Sequence, residues 1–160
     1  MRKPETEQLY ADEFRVFLEN RYAVLLRFGY LLTGDLAEAE ELLDSVLANA
    51  RRHWHFVRYA GAEVHVRKRL LTLALASWWR VLLGSRRKKY APPRAEVTAP
   101  DDETAAMWQR LAGLPRLQRA ILVLQYDENL PLPGISEIVG LPPKRITRLA
   151  TEALHRLETA

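Results

Sequence analysis

Cysteine is absent from this 160-residue chain. Disulfides, thiolate metal sites and a cysteine nucleophile are therefore excluded. Long hydrophobic runs are missing too. The most apolar stretch, Leu70 to Leu83, is interrupted by Thr72, Ser77 and Arg80. It is also shorter than the roughly 17–25 residues a membrane-spanning helix needs. The first residues, MRKPETEQLY, lack the apolar run of a signal peptide. A soluble, cytoplasmic protein without membrane insertion is expected. No alternating run is long enough for a sheet, and no repeat is visible. No Ser/His/Asp order, Gly-rich phosphate loop or paired-carboxylate site stands out, so neither an enzyme nor a cofactor is expected. His53, His55 and His65 are close in sequence, but His53 and His55 are two apart and share no helix face. No metal site is expected there.

Acidic residues are also scarce in one place. Residues 51–94 hold 12 Lys/Arg and a single acid, Glu63. Residues 1–50 hold 5 Lys/Arg against 10 Asp/Glu, and residues 95–160 hold 7 against 9. A net charge of +4 thus hides a concentrated positive segment. Nucleic acid, an anionic membrane surface or an acidic protein would each suit it, and a solvated basic face is the plain alternative.

What is present is helical periodicity. Phe14, Phe17, Leu18, Tyr22, Leu25 and Leu26 predict a helix over residues 10–32, broken at Thr33-Gly34. Asp35 caps a second helix, with Glu38 placed for a capping box. Leu36, Ala39, Leu42, Leu43, Val46, Leu47, Ala50 and Trp54 carry that helix to about Tyr59. Its acidic start and basic end suit the helix dipole. A third helix runs from Ala62 to about Leu83, basic at first and ending in Trp78-Trp79-Arg80. Residues 85–103, with Arg86-Arg87-Lys88-Lys89, Pro92-Pro93, Pro100 and Asp101-Asp102-Glu103, read as a linker. Another helical unit starts near Thr104. The fold class is therefore all-α: two small helical domains, residues 1–84 and 104–160, joined by a flexible linker at 85–103.

Within the second unit, Leu117, Ala120, Ile121 and Leu124 mark a helix, and Ile135, Ile138 and Val139 a short one. Gly140-Leu141-Pro142-Pro143 then stops one helix and starts another. Proline suits a first helical position, where its missing N–H would be unpaired anyway. Ile146, Leu149, Ala150, Ala153, Leu154 and Leu157 give the last helix an apolar stripe. Lys144, Arg145, Thr147 and Arg148 lie mostly off it. This is the helix-turn-helix layout, whose second helix enters the DNA major groove N-terminus first.

The order of motifs resembles the extracytoplasmic-function type of RNA polymerase sigma factor, within the sigma-70 family and near its compact actinobacterial, sigma-E-like group. The resemblance covers about residues 10–158. It is carried by Tyr30-Leu31-Leu32-Thr33-Gly34-Asp35, Ala39-Glu40-Glu41-Leu42, Trp54, Leu114-Pro115, Gln118-Arg119, Tyr126, Glu128-Asn129-Leu130, Ile135, Gly140 and Ala153-Leu154. It implies that the N-terminal domain binds core RNA polymerase and opens the −10 element, while the C-terminal domain reads the −35 element of promoter DNA. It assigns core binding to Glu41, Leu42, Asp44, Ser45 and Ala48. It assigns −10 contacts to His65, Arg67, Lys68, Thr72, Trp78, Trp79 and Arg80. Strand opening needs a basic surface and aromatic groups for unstacked bases, and this helix offers both. One of the paired tryptophans is also a natural core residue. The −35 contacts fall on Lys144, Arg145, Thr147 and Arg148. Of these, Arg145 and Arg148 suit bases or phosphates, and Lys144 and Thr147 suit phosphate. An anti-sigma factor is a further candidate partner.

The chain departs from the family pattern in several places. Glu41-Leu42-Leu43-Asp44-Ser45 stands where Asp-Leu-Val-Gln-Glu is usual. Thr72 replaces an Asn, with Leu75 and Ala76 nearby where polar residues are usual. Gly134 and Ser136 replace Glu and Ala, and Glu152 replaces an Arg. Pro142 occupies a cap position; a lost side-chain cap costs roughly 0.5–2 kcal/mol. Two other readings therefore stand beside an initiation factor. One is a sigma-like regulator or decoy that binds polymerase, DNA or an anti-sigma partner without initiating. The other is a helical interaction module for an anionic partner.

Overall fold

The computed structural model describes residues 3–76 and 96–159. Every regular element among them is helical. Trp78, Trp79, Arg80 and the run Arg86-Arg87-Lys88-Lys89 lie outside the described residues.

Helix α1, Pro4–Thr33, begins earlier than its apolar periodicity predicts, with proline in its first turn and Glu5 and Glu7 beside the positive end of the dipole. Gly34 ends it in the left-handed region (φ 72°), donating its N–H to Tyr30 O at 2.7 Å. A Cβ on Gly34 would also come within 3.1 Å of Ala112. Glycine is therefore required twice there, by conformation and by a close helix approach.

Asp35 caps α2, Leu36–Arg52, accepting from Glu38 N at 2.9 Å. The Glu38 carboxylate is drawn to Arg116 of the second unit, 2.8 Å away. The single helix expected to run to Tyr59 is interrupted at His53 (φ −109°, ψ 25°), and α3, Trp54–Ala60, restarts after it. The break lets Trp54 turn edge-on to Phe14, ring centroids 5.4 Å apart, while its indole N–H donates to Glu13 at 3.1 Å. Helix α4, Ala62–Leu75, follows Gly61. It ends before the expected Leu83, because Ala76 is already extended (φ −97°, ψ 120°).

The second unit holds α5 (Asp102–Ala112), α6 (Arg116–Leu122), a π-helical turn (Val123–Asp127), α7 (Leu132–Val139) and α8 (Pro143–Thr159). The acidic cluster expected in the linker in fact starts α5: Asp101 accepts from Thr104 N at 2.7 Å, with Asp102 and Glu103 in the first turn. Backbone bonding holds the Asp101 carboxyl below its ordinary range. Just before it, Val97 and Ala99 rest against the core.

The two units pack against each other through α1 on α5 and α6, and α4 on α6. One continuous core joins Leu25, Leu32, Leu42, Leu47 and Leu70 with Ile121, Ile135 and Ile146. At the seam Tyr30 meets Trp108 edge-on, centroids 5.8 Å apart. Arg119 is buried there. Its guanidinium donates to the carbonyls of Leu111, Ala112 and Leu114 at 2.9 Å and of Leu32 at 3.0 Å. It thus gathers the carbonyl ends of α1 and α5 around one positive charge, where both dipoles favour a cation. Burial first, and then the neighbouring Arg116 charge, pull its pKa below the ordinary value.

Candidate nucleic-acid interface

Helix α8 is built to leave one face free. Ile146, Ala150, Ala153 and Leu157 are buried against α6 and α7. Lys144, Arg145, Thr147 and Arg148 are all exposed in its first turns. No ion pair within the described residues occupies the three cations. The preceding turn is tightly held: Gly140 (φ 78°) donates to Ser136 O at 2.9 Å, and the Ser136 hydroxyl donates to Leu141 O. Ser136 is thus a turn fastener that alanine could not be. Pro142 offers no side-chain cap, but its carbonyl accepts from Arg145 N and Ile146 N at 3.0 and 3.1 Å and starts the helix. Glu152 accepts from Gln118 Nε2 at 3.3 Å, which draws its carboxylate toward α6.

Helix α4 is different. Lys68 and Thr72 are exposed, as is Arg69, which motif matching left out although it follows His65 by one turn. His65 is half-buried, and burial, then the Arg69 and His53 charges, lower its pKa. A neutral imidazole at neutral pH makes it a poor phosphate partner. Arg67 is partly buried with its guanidinium 5.0 Å from the Phe28 ring. It donates to Glu63 at 3.1 Å and, through Nη1, to Glu128. Arg21 donates to the same Glu63. Burial would raise the Glu63 carboxyl, but Arg21 and Arg67 outweigh it and hold it below the usual range.

Beside α4, Phe56 (62% exposed) and Tyr59 (79% exposed) project from α3. Sequence reading missed them because the continuous helix it assumed hid the break at His53. The Arg58 guanidinium lies over the Tyr59 ring, 4.7 Å from its centroid, and exposed aromatics of this kind are able to stack on unpaired bases.

On α2 the structure divides the residues assigned to polymerase. Leu42 is fully buried, and Asp44 is 5% exposed, accepting from the Tyr22 hydroxyl at 3.1 Å. Burial first, then the Asp44 charge and hydrogen bond, push the Tyr22 pKa upward. Leu42 and Asp44 both face inward in this arrangement. They serve the core because their helical phase points inward. Glu41 is exposed, and Ser45 and Ala48 are partly so. The unusual Asp44 thus has a structural reason: it answers a buried tyrosine hydroxyl.

Among the described residues, no group of three or more His, Asp or Glu is placed to hold a metal ion, and no helix is long and apolar enough to cross a membrane.

A short helix, a glycine turn and a second helix with unpaired basic residues define a helix-turn-helix protein. Residues 110–158 match the family model for sigma-70, region 4, the segment that holds this motif. The chain is 23% identical over 152 residues to the RNA polymerase sigma-E factor of Streptomyces coelicolor, covering 91% of this chain and 84% of that protein. It is 38% identical over 53 residues to the RNA polymerase sigma factor FliA of Pseudomonas aeruginosa, covering 33% of this chain and 22% of that one. The chain thus carries a sigma-70 region 4 domain, and over most of its length it is similar to a sigma-E factor.

Proposed function

We propose that this protein is a sigma factor that binds core RNA polymerase and directs promoter-specific initiation. The N-terminal unit, residues 1–84, would engage polymerase through Glu41, Ser45 and Ala48 and the −10 element through α4. The C-terminal unit, residues 104–160, would read the −35 element with Arg145 and Arg148, with Lys144 and Thr147 on phosphate. Residues 85–103 would join them. Such a factor acts in the cytoplasm and performs no chemistry of its own. The observation that carries this reading is the coincidence of the region 4 match with an α8 whose four candidate contacts are all exposed.

Purified protein added to core polymerase and genomic promoter fragments should give discrete run-off transcripts. Absence of both transcripts and core binding would overturn the proposal. A second reading, a sigma-like protein that binds polymerase, DNA or an anti-sigma partner without initiating, is favoured by the inward-facing Asp44. Core binding without transcripts from any fragment would select it.

A further inference from the structure

The geometry points to a small-molecule site in the groove between α1, α5 and α8, suited to an amphipathic carboxylic acid with an aromatic or branched apolar body. The groove holds about 410 Å³. Small-molecule pockets fall at roughly 300–1,000 Å³. Its floor is apolar and buried: Leu31 of α1, Trp108 of α5, Leu122 of α6, Val123 of the π turn and Leu157 of α8. Its rim is also apolar but open among the described residues. Met107 is 41% exposed, Tyr126 58% and Leu154 37%. Covering this rim and floor removes apolar surface from water, which favours an apolar body.

The backbone shapes one wall. The π turn closes with Glu128 N donating to Val123 O at 3.1 Å. A π turn shifts the register of side chains relative to an α-helix, and such turns recur at functional sites. Here Val123 stays buried in the floor, while Tyr126 is delivered to the rim with Asp127 beside it.

Charge selects the head group. Two charged residues line the groove, Arg27 and Asp127, and they lie together at one end. The Arg27 guanidinium rests over the Trp108 ring, 5.5 Å from its centroid, which holds it to the wall. Its bond to Asp127 is long, Nη2 to Oδ1 at 3.4 Å. A guanidinium carries five N–H donors in a fork that matches a carboxylate. Arg27 can therefore take a second acid without releasing Asp127. An amine would instead have to sit beside the Arg27 charge to reach Asp127. A ligand acid paired with Arg27 places its apolar body over Trp108 and Val123.

The test titrates the full-length protein with two fluorescent probes. One is anilinonaphthalene sulfonate, an aromatic anion whose sulfonate stands in for the carboxylate. The other is phenylnaphthylamine, an uncharged analogue of the same ring body. Circular dichroism and cooperative urea unfolding confirm that each variant is folded. The wild type should bind one equivalent of either probe. Arg27→Gln should weaken the sulfonate about tenfold, as for losing one hydrogen bond between charged groups, and leave the neutral probe within about twofold. Asp127→Asn removes the competing acid and should tighten the sulfonate about two- to threefold. Leu154→Trp fills the groove and should abolish both; if that variant does not fold, Met107→Trp plugs the same rim. Sulfonate binding unchanged in Arg27→Gln, or an equal loss of both probes there, would overturn the acid and leave a purely apolar docking face. Binding of both probes that survives the plug would overturn the site itself.

Discussion

Helices α4 and α8 both carry basic residues suited to nucleic acid, yet they present them in opposite ways. On α8 most of the apolar stripe is buried, and Lys144, Arg145 and Arg148 on the other face are left in solvent. On α4 the same kind of residue meets the partner unit, and Arg67 is consumed by Glu63 and Glu128. A basic side chain is available only if no internal carboxylate reaches it first. Charge counted along the chain does not distinguish the two helices; charge paired across the seam does.

The largest expected effect comes from breaking the seam itself. Arg119→Ala would leave carbonyls of both units without their buried donor. A loss of about 3–5 kcal/mol is expected, as for removing one member of a buried charged network. Urea unfolding followed by circular dichroism measures it, and a shift under about 1 kcal/mol would show that the seam contributes little. Next comes α8. On the proposed reading, Arg145→Ala and Arg148→Ala should each weaken binding to −35-containing duplex by about 1–3 kcal/mol, with stability almost unchanged. Equal loss on unrelated duplexes would assign both to phosphate rather than bases.

The smallest effect sharpens the α4 side. The Glu63 carboxyl is depressed in the folded state. Its contribution to stability is therefore present above its unfolded pKa and is lost as pH falls through its folded pKa. The stability gap between wild type and Glu63→Gln should be widest near neutral pH and close in acid. A gap independent of pH would mean that packing, not charge, explains Glu63.

How much of this was readable in advance varies by helix. In α8, the 3.6-residue period separates inward from outward positions, so its exposed face followed from local pattern alone. Even there Leu154, counted in the stripe, is 37% exposed. In α2 the apolar phase was visible, but the burial of Asp44 depended on Tyr22 lying opposite, 22 residues away. The break at His53 was invisible because Trp54 fits the α2 stripe as well as it fits its real place against Phe14. Asp101 read as part of the linker because an N-cap and a linker acid share the same residue type. The resemblance to sigma factors rested on motif order, and the region 4 match falls on the segment where those motifs are densest.

The chain's own pattern was enough for helical class, for the turn at Gly140 and for the exposed basic start of α8, since these depend on neighbours within a turn or two. The capture of Arg67 by Glu128, the gathering of two helix ends around Arg119 and the inward course of Asp44 depended on packing between distant segments. Ion pairs and buried donors are set by distance in space, and no local periodicity encodes which carboxylate will arrive first.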